Sequence, residues 1–212
     1  MGKVVFELEA GILIGGQSKR FGQDKASLRF GKTTLLEHVY GILHKVIDKI
    51  WIIGHNQGSH DLPEDIFFED IIPDAGPMGG LLTTLKKTDK PTLVVSCDTP
   101  FIESEHVEYL IKQYDSTKVA TIARSCKGIE PLFGIYKPEL IALLEKLITS
   151  RILALYRIFD FEKAKFVDFI NSGNISDLFF NINTLSDYKK ALYLWEETER
   201  KNSKNSSGGQ NG

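Results

Sequence analysis

Val4-Val5-Phe6-Glu7-Leu8-Glu9-Ala10-Gly11-Ile12-Leu13-Ile14 runs directly into Gly15-Gly16-Gln17-Ser18-Lys19-Arg20-Phe21-Gly22-Gln23-Asp24-Lys25. The first stretch reads as a strand entering the core, over residues 4–14. The second reads as a glycine-rich turn that leaves it. Glycine lets a backbone approach a ligand closely and turn its amides inward, an arrangement that suits phosphate oxygens. Lys19, Arg20 and Lys25 add neutralising charge. A tight turn with solvated lysines is the plain alternative. Three glycines, one arginine and two lysines within eleven residues, placed straight after the first strand, favour phosphate binding.

Downstream, strands and helices alternate. Leu35, Leu36, Val39, Ile42, Leu43 and Val46 recur every three or four residues, predicting a helix over 33–46. Strands are expected over 49–54 and 66–68, and a helix over 77–85 after a Gly-Pro turn. Thr92–Ser96 is an apolar, β-branched run of the kind found in buried parallel strands. It stops at Cys97-Asp98-Thr99-Pro100. A helix over 104–114 with Ser104 as its cap follows, then strands over 118–123 and 132–136. A helix over 138–147, strands over 165–169 and 179–182, and a closing helix over 186–200 complete the pattern. No internal repeat is present.

The alternation predicts an α/β chain with a Rossmann-like, doubly wound, mostly parallel sheet. One domain is expected over 1–201. The polar segment 202–212 cannot bury apolar area and is expected to be a disordered tail. In such sheets ligands sit beyond the carboxyl ends of the strands. Two loops leave strands at that edge, one rich in glycine and cations, the other carrying Asp98.

Composition narrows the function classes. The 212 residues are 42% hydrophobic and 25% charged, ordinary for a soluble globular protein. A net charge of -2 lacks the basic footprint of a nucleic-acid binder. No apolar run is long enough to span a bilayer, and Glu7 and Glu9 interrupt any signal-like start. The two cysteines, Cys97 and Cys126, suit a reduced, cytoplasmic setting, with Cys97 a small buried hydrophobe.

Two familiar phosphate loops fail on spacing. Gly11, Gly15, Gly16 and Gly22 do not form the dinucleotide fingerprint, and Gly31-Lys32-Thr33 has Ala26 where a P-loop needs glycine. Lys32 therefore reads as a turn residue. Asp98 ends a buried strand, where packing explains an acid poorly. It reads either as a capping or turn aspartate, or as a Mg²⁺ ligand, since Mg²⁺ takes one or two carboxylates and leaves its other positions to phosphates and water. Asn181 and Asn183 alternate onto one face of a short strand and, by themselves, read as outward polar residues of an edge. His55 and His60 lack a third nearby ligand and do not make a metal site.

Residues 13–25 resemble the signature of the molybdenum cofactor guanylyltransferases: Leu-Ala-Gly-Gly, a small residue, Arg, a hydrophobe, Gly, any residue, then Asp-Lys. The resemblance continues at Gly76-Pro77-Met78-Gly79-Gly80, at Cys97-Asp98-Thr99-Pro100-Phe101 and at Phe180-Asn181-Ile182-Asn183-Thr184. The four blocks stand in family order and cover most of the chain. The resemblance implies a fold of the nucleotide-diphospho-sugar transferase type. It implies transfer of GMP from GTP to the molybdenum-molybdopterin cofactor, with Mg²⁺ and release of pyrophosphate, and transient contact with other molybdenum-cofactor proteins. It assigns Leu13, Gly15 and Gly16 to the guanine nucleotide, Lys25 to its phosphates with Arg20 beside it, and Asn56 and Asp70 to the base and ribose. Asp98 matches the metal ligand. Asn181 and Asn183 match the far wall, in contact with metal or pterin.

Ile14 stands where the family has alanine, and Glu130-Pro131 replaces His-Pro or Gln-Pro. The short segment 69–76 leaves Asp74 as an alternative to Asp70. Competing readings are a CTP-dependent cytidylyltransferase, a sugar-phosphate nucleotidyltransferase, and a non-catalytic nucleotide- or cofactor-binding protein. Gly15 in place of alanine and Asp24 before Lys25 favour GTP; intact Lys25 and Asp98 favour catalysis.

Overall fold

Glu9–Leu13 forms the first strand, β1, with every residue buried. The computed structural model describes residues 7–14, 24–55, 58, 60–169 and 178–207, with side chains to 201. Glu9 can lie inside because its carboxylate takes Trp51 Nε1 at 2.6 Å and Lys49 Nζ at 3.1 Å. After β1 come a short hairpin, β2 (Arg29–Phe30) and β3 (Thr33–Thr34), then helix α1 (Leu35–His44), β4 (Ile50–Ile53) and β5 (Phe67–Phe68). Helix α2 (Gly76–Thr88), β6 (Thr92–Ser96) and α3 (Ser104–Lys112) follow. The chain closes with β7 (Ala120–Ser125), β8 (Gly128–Tyr136), α4 (Ile141–Thr149), β9 (Ala164–Asp168) and α5 (Leu185–Ser207).

Seven strands make one sheet in the order β5-β4-β1-β6-β8-β7-β9. Only β8 runs against the others, pairing antiparallel with both β6 and β7. The expected mostly parallel α/β sheet is what forms. Alternation along the strands sorts the core into two layers. Ala10, Ile12, Leu93 and Val95 face Leu36, Val39, Leu43, Val107 and Leu110 of α1 and α3. Leu13 and Val94 face Met78, Leu81, Leu82, Leu144 and Leu147 of α2 and α4. A third cluster, including Phe30, Phe101, Phe180, Ile182 and Ala191, fixes α5 to the β2–β3 hairpin.

Several expected elements move. The helix expected from 33 starts at Leu35, because Thr33 and Thr34 pair in the hairpin and Thr34 then caps α1, with Glu37 completing a capping box. Glu103, rather than Ser104, is the residue before the first turn of α3. The segment 179–182 is not a strand. Phe179 and Phe180 are both buried, so the burial does not alternate; Phe180 and Ile182 pack beneath α5, and Ile182 N bonds Asp98 O at the end of β6 instead of extending a ladder. The helix expected to stop at 200 continues to Ser207, so residues 202–207 of the expected tail are helical. The preceding turns are already ordered by Ala191 and Trp195, and extending a formed helix costs far less than starting one.

The chain leaves β1 for β4 and β5 on one side and crosses back through α2 to β6 on the other. Beyond the carboxyl ends of β1 and β6 lies the switch point where such sheets hold ligands. Cys97 N donates to Leu13 O at 3.1 Å and Ile14 N to Ile53 O at 2.9 Å, so the strands stay in register to that edge.

Candidate active site

Lys25 opens a single 3-10 turn, Lys25–Ser27, built by the residue before it. Asp24 Oδ1 accepts from Ala26 N at 3.1 Å and its Oδ2 from Ser27 Oγ at 3.0 Å. Ala26 is fully buried and anchors the turn in the core. The Lys25 ammonium reaches the switch point, where it donates to Asp98 Oδ2 at 2.9 Å and to Asn183 Oδ1 at 3.3 Å.

Asp98 is held from several directions. Ser96 Oγ donates to its Oδ1 at 2.7 Å, and Ile182 N donates to its main-chain oxygen at 3.0 Å. Thr99 Oγ1 turns back to Ser96 O at 3.0 Å. His38 Nε2, from α1, donates to Pro100 O at 2.9 Å. Cys97, between these residues, is buried; burial pushes its thiol well above the ordinary range, which suits packing and not nucleophilic chemistry.

Asn183 is positioned by the cap of α5. Asp187 Oδ2 accepts from Asn183 N at 3.1 Å, Thr184 N at 2.8 Å and Thr184 Oγ1 at 2.9 Å. The Thr184 hydroxyl contact leads the causes that hold the Asp187 carboxyl below its ordinary value. Asn181 does not join this cluster: it is exposed and its amide donates to Phe179 O at 3.3 Å.

At the neighbouring strand end, after β5, Asp70 has a buried Oδ1 with no protein partner among the described residues. Burial raises its pKa, and the Thr83 hydroxyl partly offsets that. Asp74, the alternative, is exposed at a left-handed backbone position, φ 60°. Leu13 is buried against α2, where a methyl group on Gly80 would stand 3.0 Å from its Cδ1. Gly15, Gly16, Arg20 and Asn56 lie outside the described residues. His55 meets exposed Glu69 at 3.1 Å, while His60 bonds Thr34 Oγ1 at 3.2 Å. The two do not form a pair.

Sequence reasoning missed Ser96, His38 and Asp187. Asp187 carried a readable mark, since Thr184 three residues ahead of an acid is a capping pattern. Ser96 and His38 look like any buried serine and helical histidine until the strand end and α1 come together.

Among the described residues no three His, Cys, Asp or Glu side chains gather as a metal cage. A lone carboxylate braced by a hydroxyl fits a hard cation that takes its other ligands from phosphates and water, as Mg²⁺ does.

Residues 10–164 match the family described as "MobA-like NTP transferase domain". A probable molybdenum cofactor guanylyltransferase of Pelotomaculum thermopropionicum is 30% identical over 191 residues, covering 88% of this chain and 93% of that protein. The crystal structure of molybdopterin-guanine dinucleotide biosynthesis protein A from Archaeoglobus fulgidus superposes with a TM-score of 0.74 at 20% identity, covering 89% of this chain and 99% of the other. A Mycobacterium tuberculosis protein solved in complex with manganese superposes at 0.59 with 12% identity, covering 89% and 98%. No helix among the described residues is long and apolar enough to cross a membrane.

Proposed function

Because the chain belongs to the MobA-like NTP transferase family, and so is a nucleotidyltransferase, we propose that it transfers GMP from GTP to the molybdenum-molybdopterin cofactor, releasing pyrophosphate. The observation that carries this reading is the meeting of Lys25 with Asp98 at 2.9 Å, at the switch point where the glycine-rich segment leaves β1. The name of the Pelotomaculum relative supports the guanylyl donor and the molybdenum cofactor as acceptor.

The acceptor's phosphate attacks the α-phosphorus of the triphosphate in line, forming the new phosphoanhydride bond as the bond to pyrophosphate breaks. Both reactants are anionic, so the site's task is charge neutralisation and alignment. A phosphate is already a competent nucleophile, so no serine, cysteine or histidine base is needed. In this reading Leu13, Gly15 and Gly16 carry the nucleotide along the loop backbone, and Arg20 and Lys25 neutralise its phosphates. Asp98 holds Mg²⁺, which supplies charge stabilisation at the reacting phosphates; the manganese bound to the M. tuberculosis protein supports a divalent ion. Asp70, with its unpartnered buried oxygen, accepts hydrogen bonds from the base edge or ribose together with Asn56. Asp74 has no such oxygen and takes no part. Asn183 steadies Lys25, and Asn181, exposed beside it, faces the acceptor.

The test is pyrophosphate release from GTP, CTP, ATP and UTP, each with and without the molybdenum-molybdopterin cofactor. GTP with the acceptor is expected to turn over fastest. A preference for CTP would overturn the guanylyl assignment and leave nucleotidyl transfer standing. Gly15→Ala is expected to lower kcat/KM for GTP more than for CTP, by a factor corresponding to roughly 1–3 kcal/mol for one methyl group.

A further inference from the structure

We propose that Lys25 is a displaceable plug in the cation site: it holds the Asp98 oxygen that a divalent ion takes, and moves onto the triphosphate as metal and nucleotide enter together. The inference rests on the reading of Asp98 as a metal ligand.

Asp98 has one oxygen committed to structure and one to Lys25. Its Oδ1 accepts from Ser96 Oγ at 2.7 Å, and its Oδ2 from the ammonium at 2.9 Å. The pair is largely enclosed, with side-chain exposures of 19% and 16%, unlike the surface pair Lys112–Glu108 at 72% and 52%. A surface pair exchanges freely with water; this one must be displaced by whatever takes the oxygen. A divalent ion arriving alone would leave the ammonium beside a second, larger positive charge, with no other acidic cage among the described residues to hold the ion. A triphosphate removes both obstacles, because its oxygens accept the ammonium and supply the missing metal ligands.

The local structure permits this exchange without moving the backbone. The turn carrying Lys25 is pinned by the Asp24 cap and by buried Ala26, so the flexible four-carbon stem is the moving part. Asn183 Oδ1, at 3.3 Å, offers the ammonium a neutral contact as it leaves the carboxylate.

The consequence is a pair of opposite effects. Removing the Lys25 charge tightens nucleotide-free metal binding and weakens nucleotide binding. A residue with a purely structural role would weaken both. The experiment titrates Mn²⁺ into the nucleotide-free full chain, reading free Mn²⁺ by electron paramagnetic resonance, with a non-hydrolysable GTP analogue titrated separately. Lys25→Met is expected to bind Mn²⁺ about five- to tenfold more tightly than wild type, and the analogue more weakly. Lys25→Gln should repeat both changes, which guards against a folding defect in one variant. Lys25→Arg retains the charge and should keep Mn²⁺ binding weak. The gain should vanish in Lys25→Met combined with Asp98→Asn. Unchanged or weaker Mn²⁺ binding in both neutral variants would overturn the plug. Pyrophosphate release by wild type reports on the transfer reaction independently, so failure of one reading is distinguishable from failure of the other.

Discussion

His38 Nε2 donates to the main-chain oxygen of Pro100 at 2.9 Å, tying α1 to the loop that carries Asp98. The ring is mostly buried and lies against Phe30, with centroids 4.9 Å apart. Because a carbonyl only accepts, the proton must sit on Nε2, and the neutral ring serves. His38→Phe keeps the packing but strands the buried Pro100 oxygen. The expected loss is roughly 1–3 kcal/mol, for one unsatisfied buried acceptor, with turnover falling alongside. Thermal unfolding and turnover are the measurements; a melting temperature equal to wild type would show that this tether holds nothing.

Asp98→Ala is expected to abolish transfer while leaving the fold intact. The variant loses the carboxylate that bonds Ser96 and Lys25 and changes no apolar core side chain. Circular dichroism and pyrophosphate release separate the two effects. Wild-type turnover at saturating Mg²⁺ would remove Asp98 from the mechanism.

Lys25→Ala should lower the rate by roughly 10²–10³, the loss typical of one preorganised group facing developing charge. Lys32, exposed at the tip of the β2–β3 hairpin, serves as the control, and Lys32→Ala should matter far less. If Lys32 proves the more damaging site, the phosphate contacts belong to Gly31-Lys32-Thr33 instead.

Gly11 of β1 lies against Thr84 of α2. A methyl group there would stand 2.5 Å from Thr84 Cγ2, inside any real contact. Gly11→Ala is expected to destabilise by about 1–3 kcal/mol through overpacking. Thr84→Ser removes that Cγ2 and keeps the hydroxyl, which donates to Gly80 O at 2.7 Å. The double variant should recover most of the loss in a denaturant titration. Simple additivity of the two changes would disprove the contact.

Acid should destabilise the fold through its histidines. Burial is the largest cause holding His38, His60 and His106 below their ordinary value of 6.5. His106 Nδ1 also accepts from Glu103 N–H at 3.0 Å, a bond that protonation removes. The folded chain therefore binds fewer protons than the unfolded one, and stability present above 6.5 is lost as pH falls from there towards the lowered folded values. Melting temperature should drop between about pH 7.5 and about pH 5.5, and the drop should shrink in His106→Gln. An equal drop in that variant would assign the effect to other groups.

What the sequence determined by itself is what chain geometry repeats locally. The three-and-four spacing of Leu35 through Leu43 and the apolar run Thr92–Ser96 each mark an element within a few residues of itself. Together they sufficed for a mostly parallel α/β sheet. The place of Asp98 at the end of β6 was legible too, because an acid closing a buried apolar strand stands out against its neighbours. Partnership between distant segments leaves no such local mark. Nothing near Lys25 announces that Asp98, 73 residues on, and Asn183, 158 residues on, meet its ammonium. Nothing in 128–136 announces that β8 enters the sheet antiparallel between β6 and β7. The different settings of Asp70 and Asp74 were equally hidden. Both are acids in one short segment, and only the packing of α2 against the strand ends buries an oxygen of the first and leaves the second in solvent. Burial and long-range pairing are properties of the assembled chain, so tertiary structure alone decided how these residues meet.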